Sequence, residues 1–211
     1  MLTVHTFTFN PFQENTYILT DSETKEALII DPGCFTVAER RTLDTFLADY
    51  KPVAILNTHG HLDHVFGVNH LVAKYQIPFY LHPLEDPILR NVPAVAERYG
   101  MGLVPSIDQY STLDTGPFAF AGHELQVWHT PGHAPGHVVI YIHDLKTVIG
   151  GDVLFRESIG RTDFPYCSFE DLQHSIRQVL YALPDDTIVL SGHGPETTIG
   201  HEKRHNPYVP A

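Results

Sequence analysis

A chain of 211 residues, 43% of them hydrophobic, is long enough to bury a substantial core and falls within the size of one domain. Its 13 Lys and Arg against 25 Asp and Glu leave a formal charge of −12, which argues against a broad nucleic-acid or anionic-membrane surface, since both need clustered basic side chains. Cys34 and Cys167 are too few for a disulfide framework and too far apart for a Cys-x-x-Cys site, which fits a reducing compartment.

The N-terminal residues carry no basic segment followed by an apolar core, and no apolar run reaches membrane-spanning length, so a cytoplasmic location is expected. β-Branched and aromatic runs at residues 2–9, 15–20 and 26–30, separated by Pro, Asn, Asp and Glu, predict three consecutive strands. From 36 to 50 the period changes: Leu43, Phe46, Leu47 and Tyr50 fall on one helical stripe. A buried strand is expected at 52–57, a helix over 65–76 and a short strand at 78–82. Pro83, Pro87, Pro93 and Pro105 restrict residues 83–110 to short helices or irregular chain, read as a lid or connection. Strands return at 117–121, 123–129, 137–143 and 146–150, a helix starts near Ser168 with a capping pattern, and a last strand covers 187–190. This alternation indicates mixed α/β structure.

Between the strand at 52–57 and the following helix stands Thr58-His59-Gly60-His61-Leu62-Asp63-His64. Neutral imidazole and carboxylate suit zinc, iron or manganese, and four such groups in one loop exceed what a single tetrahedral ion would take from one segment, so two ions are expected. His59 and His61 share one side of an extended segment and are assigned to one ion. Asp63 and His64, where the chain turns into the helix, are assigned to the other.

Three further strands lead into ligand-type side chains. Residues 125–128 precede His129-Thr130-Pro131-Gly132-His133; Val148-Ile149-Gly150-Gly151 precedes Asp152; Ile188-Val189-Leu190 precedes Ser191-Gly192-His193. Side-by-side strands with such endings would gather these groups on one edge, held more accurately than on free loops. His133 would complete the first site, His193 the second, and Asp152, with two carboxylate oxygens, would be shared.

The segments Asp31-Pro32-Gly33, residues 58–64 and 130–137, Gly151-Asp152 and Gly192-His193-Gly194 resemble, in order along nearly the whole chain, those of the metallo-β-lactamase fold superfamily. Within it the chain is similar to the glyoxalase II-like hydrolases, the hydroxyacylglutathione hydrolase type. The resemblance implies a four-layer αββα sandwich, a single domain over 1–211 and a binuclear centre built from the seven ligands named above. It also implies a small-molecule thioester as substrate, with no nucleic acid and no membrane. Two divalent ions, zinc first among them, lower the pKa of bound water from about 15.7 to about 7 and polarise a carbonyl, which suits hydrolysis of an activated acyl bond. Asp63 and Asp152 would be the carboxylates closest to that chemistry, Asp63 orienting the hydroxide.

Longer glyoxalase II enzymes hold glutathione with a C-terminal helical extension, for which this sequence has no counterpart. Arg161, in Gly160-Arg161-Thr162-Asp163-Phe164-Pro165, stands in place of a lysine of those enzymes as a carboxylate clamp. Persulfide dioxygenases of the same superfamily, which use one iron, have a similar segment and supply the alternative reading, with a lactonase or other ester hydrolase as a further one. His137 is expected to orient a ligand, and Asp31 either does the same or serves as a turn residue. The remaining histidines are read as core or surface groups, Cys34 and Cys167 as packed thiols, and Lys203, Arg204 and His205 as a solvated basic tail.

Overall fold

The computed structural model describes residues 1–210. They form two compact units, one of residues Met1–Leu113 and one beginning at Asp114.

The first unit is built on a six-stranded sheet. Strands β1 (Leu2–Phe9), β2 (Glu14–Asp21) and β3 (Glu26–Ile30) form an antiparallel meander, and β4 (Lys51–Leu56), β5 (Phe79–Leu81) and β6 (Ser111–Thr112) extend it in parallel. Helix α1 (Val37–Leu47) starts with a reciprocal capping box between Thr36 and Glu39, satisfying amides that the first turn leaves without helical partners. Its Leu43 and Leu47 join Ile18, Ala27, Ile29 and Ile55 in one buried cluster, so α1 covers one face of the sheet. Tyr17, Leu19, Leu28, Ile30 and Leu56, on the alternate side of the strands, are buried as well.

One long helix was expected over 65–76, but the chain makes two, α2 (Leu62–Val65) and α3 (Val68–Tyr75). Gly67 separates them. Its amide donates to Pro32 O at 2.7 Å, and a Cβ there would stand 2.5 Å from Cys34 Sγ, so only glycine permits this approach to the 31–34 turn. The proline-rich segment folds into a 3₁₀ turn (Pro83–Glu85), α4 (Asp86–Arg90) and α5 (Val92–Arg98), each with Pro in its first two positions, where a missing amide costs no hydrogen bond. Leu89, Val92, Ala96 and Ile107 anchor the segment in the unit's core, making it a packed connection.

The second unit has β7 (Gly116–Phe120), β8 (His123–His129), β9 (Val138–Ile142) and β10 (Thr147–Gly151), a small hairpin of β11 (Leu154–Phe155) and β12 (Ser158–Ile159), then β13 (Ile188–Ser191) and β14 (Thr197–Thr198). Its main sheet runs in the order β14-β13-β10-β9-β8-β7, with β10 and β13 parallel and the other neighbours antiparallel. Helix α6 (Phe169–Ser175), capped by Ser168 Oγ accepting from the Asp171 amide at 3.1 Å, runs on into a π-helical turn (Ile176–Leu180). Leu172, Ile176 and Leu180 pack with Val139, Val148 and Val189. Each unit thus pairs one sheet with a helical layer, the mixed α/β class expected from the sequence.

Residues read as a basic tail belong instead to helix α7 (Ile199–His205), where Thr198 caps the start and the cations crowd the last turn, opposite the negative end of the helix dipole. Lys203 Nζ lies 2.7 Å from Asp185 Oδ1 and Arg204 3.8 Å from Asp185 Oδ2, so these charges are paired within the unit. Among the described residues no helix is long and apolar enough to cross a membrane.

Candidate metal centre

In the first unit, parallel β3 and β4 end side by side at Ile30 and Leu56, and the chain beyond each carries the polar groups. Asp31 takes φ 50°, a left-handed conformation that aspartate tolerates better than most residues. Fully buried, it accepts from the Thr58 amide at 2.7 Å and the Thr58 hydroxyl at 2.6 Å. Its Oδ2 also lies 3.1 Å from Nδ1 of His64.

These bonds set the tautomers. A carboxylate only accepts, so Nδ1 of His64 carries the proton and Nε2 keeps its lone pair. The Thr58 hydroxyl spends its hydrogen on Asp31 and therefore accepts from His59 Nδ1, 3.0 Å away, which leaves the lone pair of His59 on Nε2 too. Two buried imidazoles are thereby held in the form a metal ion requires. Asp31, His59 and His64 offer ligand atoms within 4.8 Å of one another, but the bonds to Thr58 and His64 suit Asp31 to orienting the rings.

Asp63 and His61 flank this pair. Oδ2 of Asp63 is 3.7 Å from Nε2 of His64, and the ring of His61 meets that of His59 edge-on at 4.6 Å between centroids. The loop backbone is clamped by Asn57, whose Nδ2 donates to His64 O at 2.8 Å, and by Asn10, which donates to Asp63 O at 3.0 Å. Beside them Glu14 is fully buried, Thr16 donating to its Oε2 at 3.0 Å and its Oε1 lying 3.9 Å from His64 Nδ1. Burial pushes its pKa well above the ordinary carboxylate range, an effect that His64 opposes and Asp31 and Asp63 reinforce.

In the second unit β8, β10 and β13 run the same way, so their carboxyl ends lie at one edge. The Gly192 amide donates to Gly151 O at 2.7 Å, which locks the turns that carry Asp152 and His193. Nδ1 of His133 donates to Arg161 O at 2.9 Å, directing its Nε2 lone pair the other way. Oδ2 of Asp152 stands 3.5 Å from Nε2 of His133 and 3.6 Å from Nε2 of His193. Ligands about 2.0–2.2 Å from a tetrahedral ion stand about 3.3–3.6 Å apart, so these spacings fit a carboxylate and two imidazoles gathered for metal. His137 is turned to another task, its Nε2 accepting from the Asp152 amide at 3.0 Å. A Cβ at Gly160 would collide with Asp152 O and stand 3.2 Å from His133 Cβ, so this glycine allows the hairpin to close against both residues.

Arg161 is engaged within its own loop. Nε and Nη2 donate to the two carboxylate oxygens of Asp163 at 2.6 and 2.7 Å, and the guanidinium carbon lies 4.1 Å from the Phe164 ring centroid. The Arg161 hydrogen bonds hold Asp163 below the usual carboxylate range. Both side chains are exposed, at 50% and 66%.

Thr58 and Asn57 bear on the site through these bonds, although the sequence marked neither. Their position beside the histidine cluster was the available signal, and the bonds to Asp31 and to the His64 carbonyl depend on the fold.

The sequence profile of the metallo-β-lactamase superfamily matches residues 9–193. The chain belongs to the metallo-β-lactamase superfamily. Over 94% of its length it is 38% identical to the hydroxyacylglutathione hydrolase GloC of Haemophilus influenzae, of which the match covers 93%. The fold of the superfamily is shared with the B3 metallo-β-lactamase BLEG-1, at a TM-score of 0.90 and 37% identity over 99% of this chain and 100% of that one. It is shared also with TTHA1623, solved in a di-iron-bound form, at a TM-score of 0.86 and 38% identity over 97% of this chain and 100% of that one. The histidine and aspartate groups are thus those of a metallo-hydrolase superfamily and suit divalent metal ions.

Proposed function

We propose that this protein is a thioesterase acting on S-acylglutathione of the S-lactoylglutathione type, or on a related small thioester, with two divalent metal ions, zinc in the first instance. His59, His61 and His133 would hold one ion and Asp63, His64 and His193 the other, with Asp152 shared. The observation that carries the reading is the placement of Asp152 Oδ2 at 3.5 and 3.6 Å from two imidazole nitrogens, the spacing of ligands rather than of hydrogen-bond partners. The similarity to a named hydroxyacylglutathione hydrolase over nearly the whole chain supports the choice of thioester.

Metal ions bound there supply Lewis acidity toward the acyl carbonyl and lower the pKa of water. The protein's own groups orient and hold protons. Asp31, Thr58 and the Arg161 carbonyl keep the Nδ1 proton on His64, His59 and His133, so that Nε2 stays basic. Asp63, 16% exposed, would accept a hydrogen bond from the attacking water. A thiolate leaves without prior protonation, so the reaction requires no dedicated acid. Arg161 would face the carboxylate of a glutathione substrate, in competition with Asp163.

The test is a panel of an S-acylglutathione, a lactone and glutathione persulfide offered to protein of measured metal content. Thioester hydrolysis with two ions per chain is expected. One iron per chain with oxygen uptake and no thioester cleavage would overturn the reading in favour of a persulfide dioxygenase.

A further inference from the structure

Gly60 separates His59 from His61, and its amide donates to Oε2 of Glu85 at 2.8 Å. Glu85 comes from the 3₁₀ turn at the start of the proline-rich segment and is fully buried. A carboxylate taken wholly out of water is costly unless hydrogen bonds replace its hydration, so a protein that retains one there depends on what it binds. The contact is close: a Cβ at Gly60 would stand 3.3 Å from Glu85 Oε2 and 3.5 Å from both its Cβ and its carbonyl oxygen. The backbone that carries the carboxylate is itself held, because the Glu85 amide donates to His82 O at 2.9 Å and the residue leads directly into α4.

We propose that Glu85 is a positioning residue for metal binding, setting the backbone between His59 and His61 so that both imidazoles meet one ion. The inference rests on the thioesterase reading's assignment of these two histidines as ligands. The hydrogen bond to the Gly60 amide fixes the first of the two peptide planes that relate the two side chains. The other clamps on the loop, Asn57 at His59 O and His64 O and Asn10 at Asp63 O, grip carbonyls; the His59-Gly60 peptide is thus held on both sides, its carbonyl by Asn57 at 3.4 Å and its amide by the shorter bond to Glu85 at 2.8 Å. The proline-rich segment thereby acquires a role: it delivers a buried carboxylate to the ligand loop.

The experiment compares the wild type with Glu85→Gln, Glu85→Asp and Glu85→Ala by zinc affinity in chelator competition, by the visible spectrum of the cobalt-loaded protein, and by exchange of the Gly60 amide, all well below the melting temperature of each metal-free variant. Glutamine keeps a carbonyl acceptor at the same reach and should bind zinc within about threefold of the wild type. Aspartate is one methylene too short and should bind about 10- to 100-fold more weakly, the usual loss when a group that orients a ligand is removed. It should also show an altered cobalt spectrum and faster exchange at Gly60. Alanine should match or exceed that loss if it folds; the aspartate variant carries the comparison if it does not. Zinc affinity and cobalt spectrum unchanged in Glu85→Asp, or an equal loss in Glu85→Gln and Glu85→Asp, would overturn the inference while leaving the thioesterase reading intact. A wild type that takes up no zinc or cobalt would overturn both.

Discussion

Oδ2 of Asp31 lies 3.1 Å from Nδ1 of His64 and accepts the Thr58 hydroxyl at 2.6 Å, so one buried oxygen governs the tautomers of two histidines. Asp31→Ala should therefore weaken metal binding about 10- to 100-fold, and the loss should exceed that of a substitution touching one ring alone. Thr58→Val, which cuts the link to His59 but leaves His64 paired, supplies that comparison. Chelator competition reads both, with circular dichroism checking that the fold survives. Equal zinc affinities for Asp31→Ala and the wild type would refute this control of the rings.

Asp152 faces His133 and His193 at ligand spacing, and its amide is held by His137. Asp152→Ala should lose metal and thioester hydrolysis together while the secondary structure persists, because the backbone bond to His137 does not depend on the side chain. Metal analysis after gel filtration, alongside circular dichroism, decides it. Full hydrolysis by this variant would remove Asp152 from the centre.

The candidate ligands were legible because each follows an apolar strand and one cluster lies within six residues. Of what surrounds them, Asp31 and His137 were marked but their partners were not. The chain Asp31-Thr58-His59 depends on a bond between residues 27 positions apart in sequence, Asp31 and Thr58, and no periodicity marks it. The break between α2 and α3 was hidden for a similar reason: Gly67 interrupts a helical stripe only weakly, and the cause is its contact with Cys34 and Pro32 across the unit. β6, β11, β12 and β14 are two residues each, too short to carry an alternation. Arg161 was readable in sequence as a carboxylate clamp, whereas its pairing with Asp163 follows from a turn whose shape composition does not fix.

That pairing yields a prediction about substrate. Asp163 occupies two donors of Arg161, and an ion pair this exposed is screened by solvent, so a substrate carboxylate can displace it at modest cost. Asp163→Ala should lower KM for a glutathione thioester modestly, with little change in kcat. Arg161→Ala should raise that KM much more than KM for a small neutral thioester. Steady-state kinetics on both substrates would reject the clamp if the two KM values moved together.

The two cysteines should differ in reactivity. Burial pushes the Cys34 thiol up to about 12, leaving almost no thiolate at pH 8, and its side chain is wholly enclosed. Cys167, half-buried, donates its S–H to His133 O at 2.9 Å. Folded protein treated with a disulfide reagent at pH 8 should release one thiol equivalent per chain, and Cys167→Ser should release none until denaturant is added. Rapid release of two equivalents from the folded wild type would contradict the enclosure of Cys34.

Asp44 ties α1 to α3. It lies 3.1 Å from His70 Nε2, 2.8 Å from Lys74 Nζ and 3.2 Å from the Tyr75 hydroxyl. Burial alone would raise its pKa, but the bonds from Lys74 and His70 outweigh it, and the carboxyl sits below its ordinary value of 3.8. A carboxyl depressed in the folded state contributes its stability in full above the unfolded value and loses it as pH falls through the folded one. With Lys74 44% exposed, the contribution is that of a screened cluster, about 1 kcal/mol. Asp44→Asn should accordingly lower Tm by about 2–4 °C at pH 7. The difference should persist down to about pH 5 and shrink as the pH falls through the ordinary value of 3.8 and then the lower folded one. Thermal melts of both proteins across that range make the measurement, and a gap that stayed constant to pH 3 would show that Asp44 stabilises by shape and not by charge.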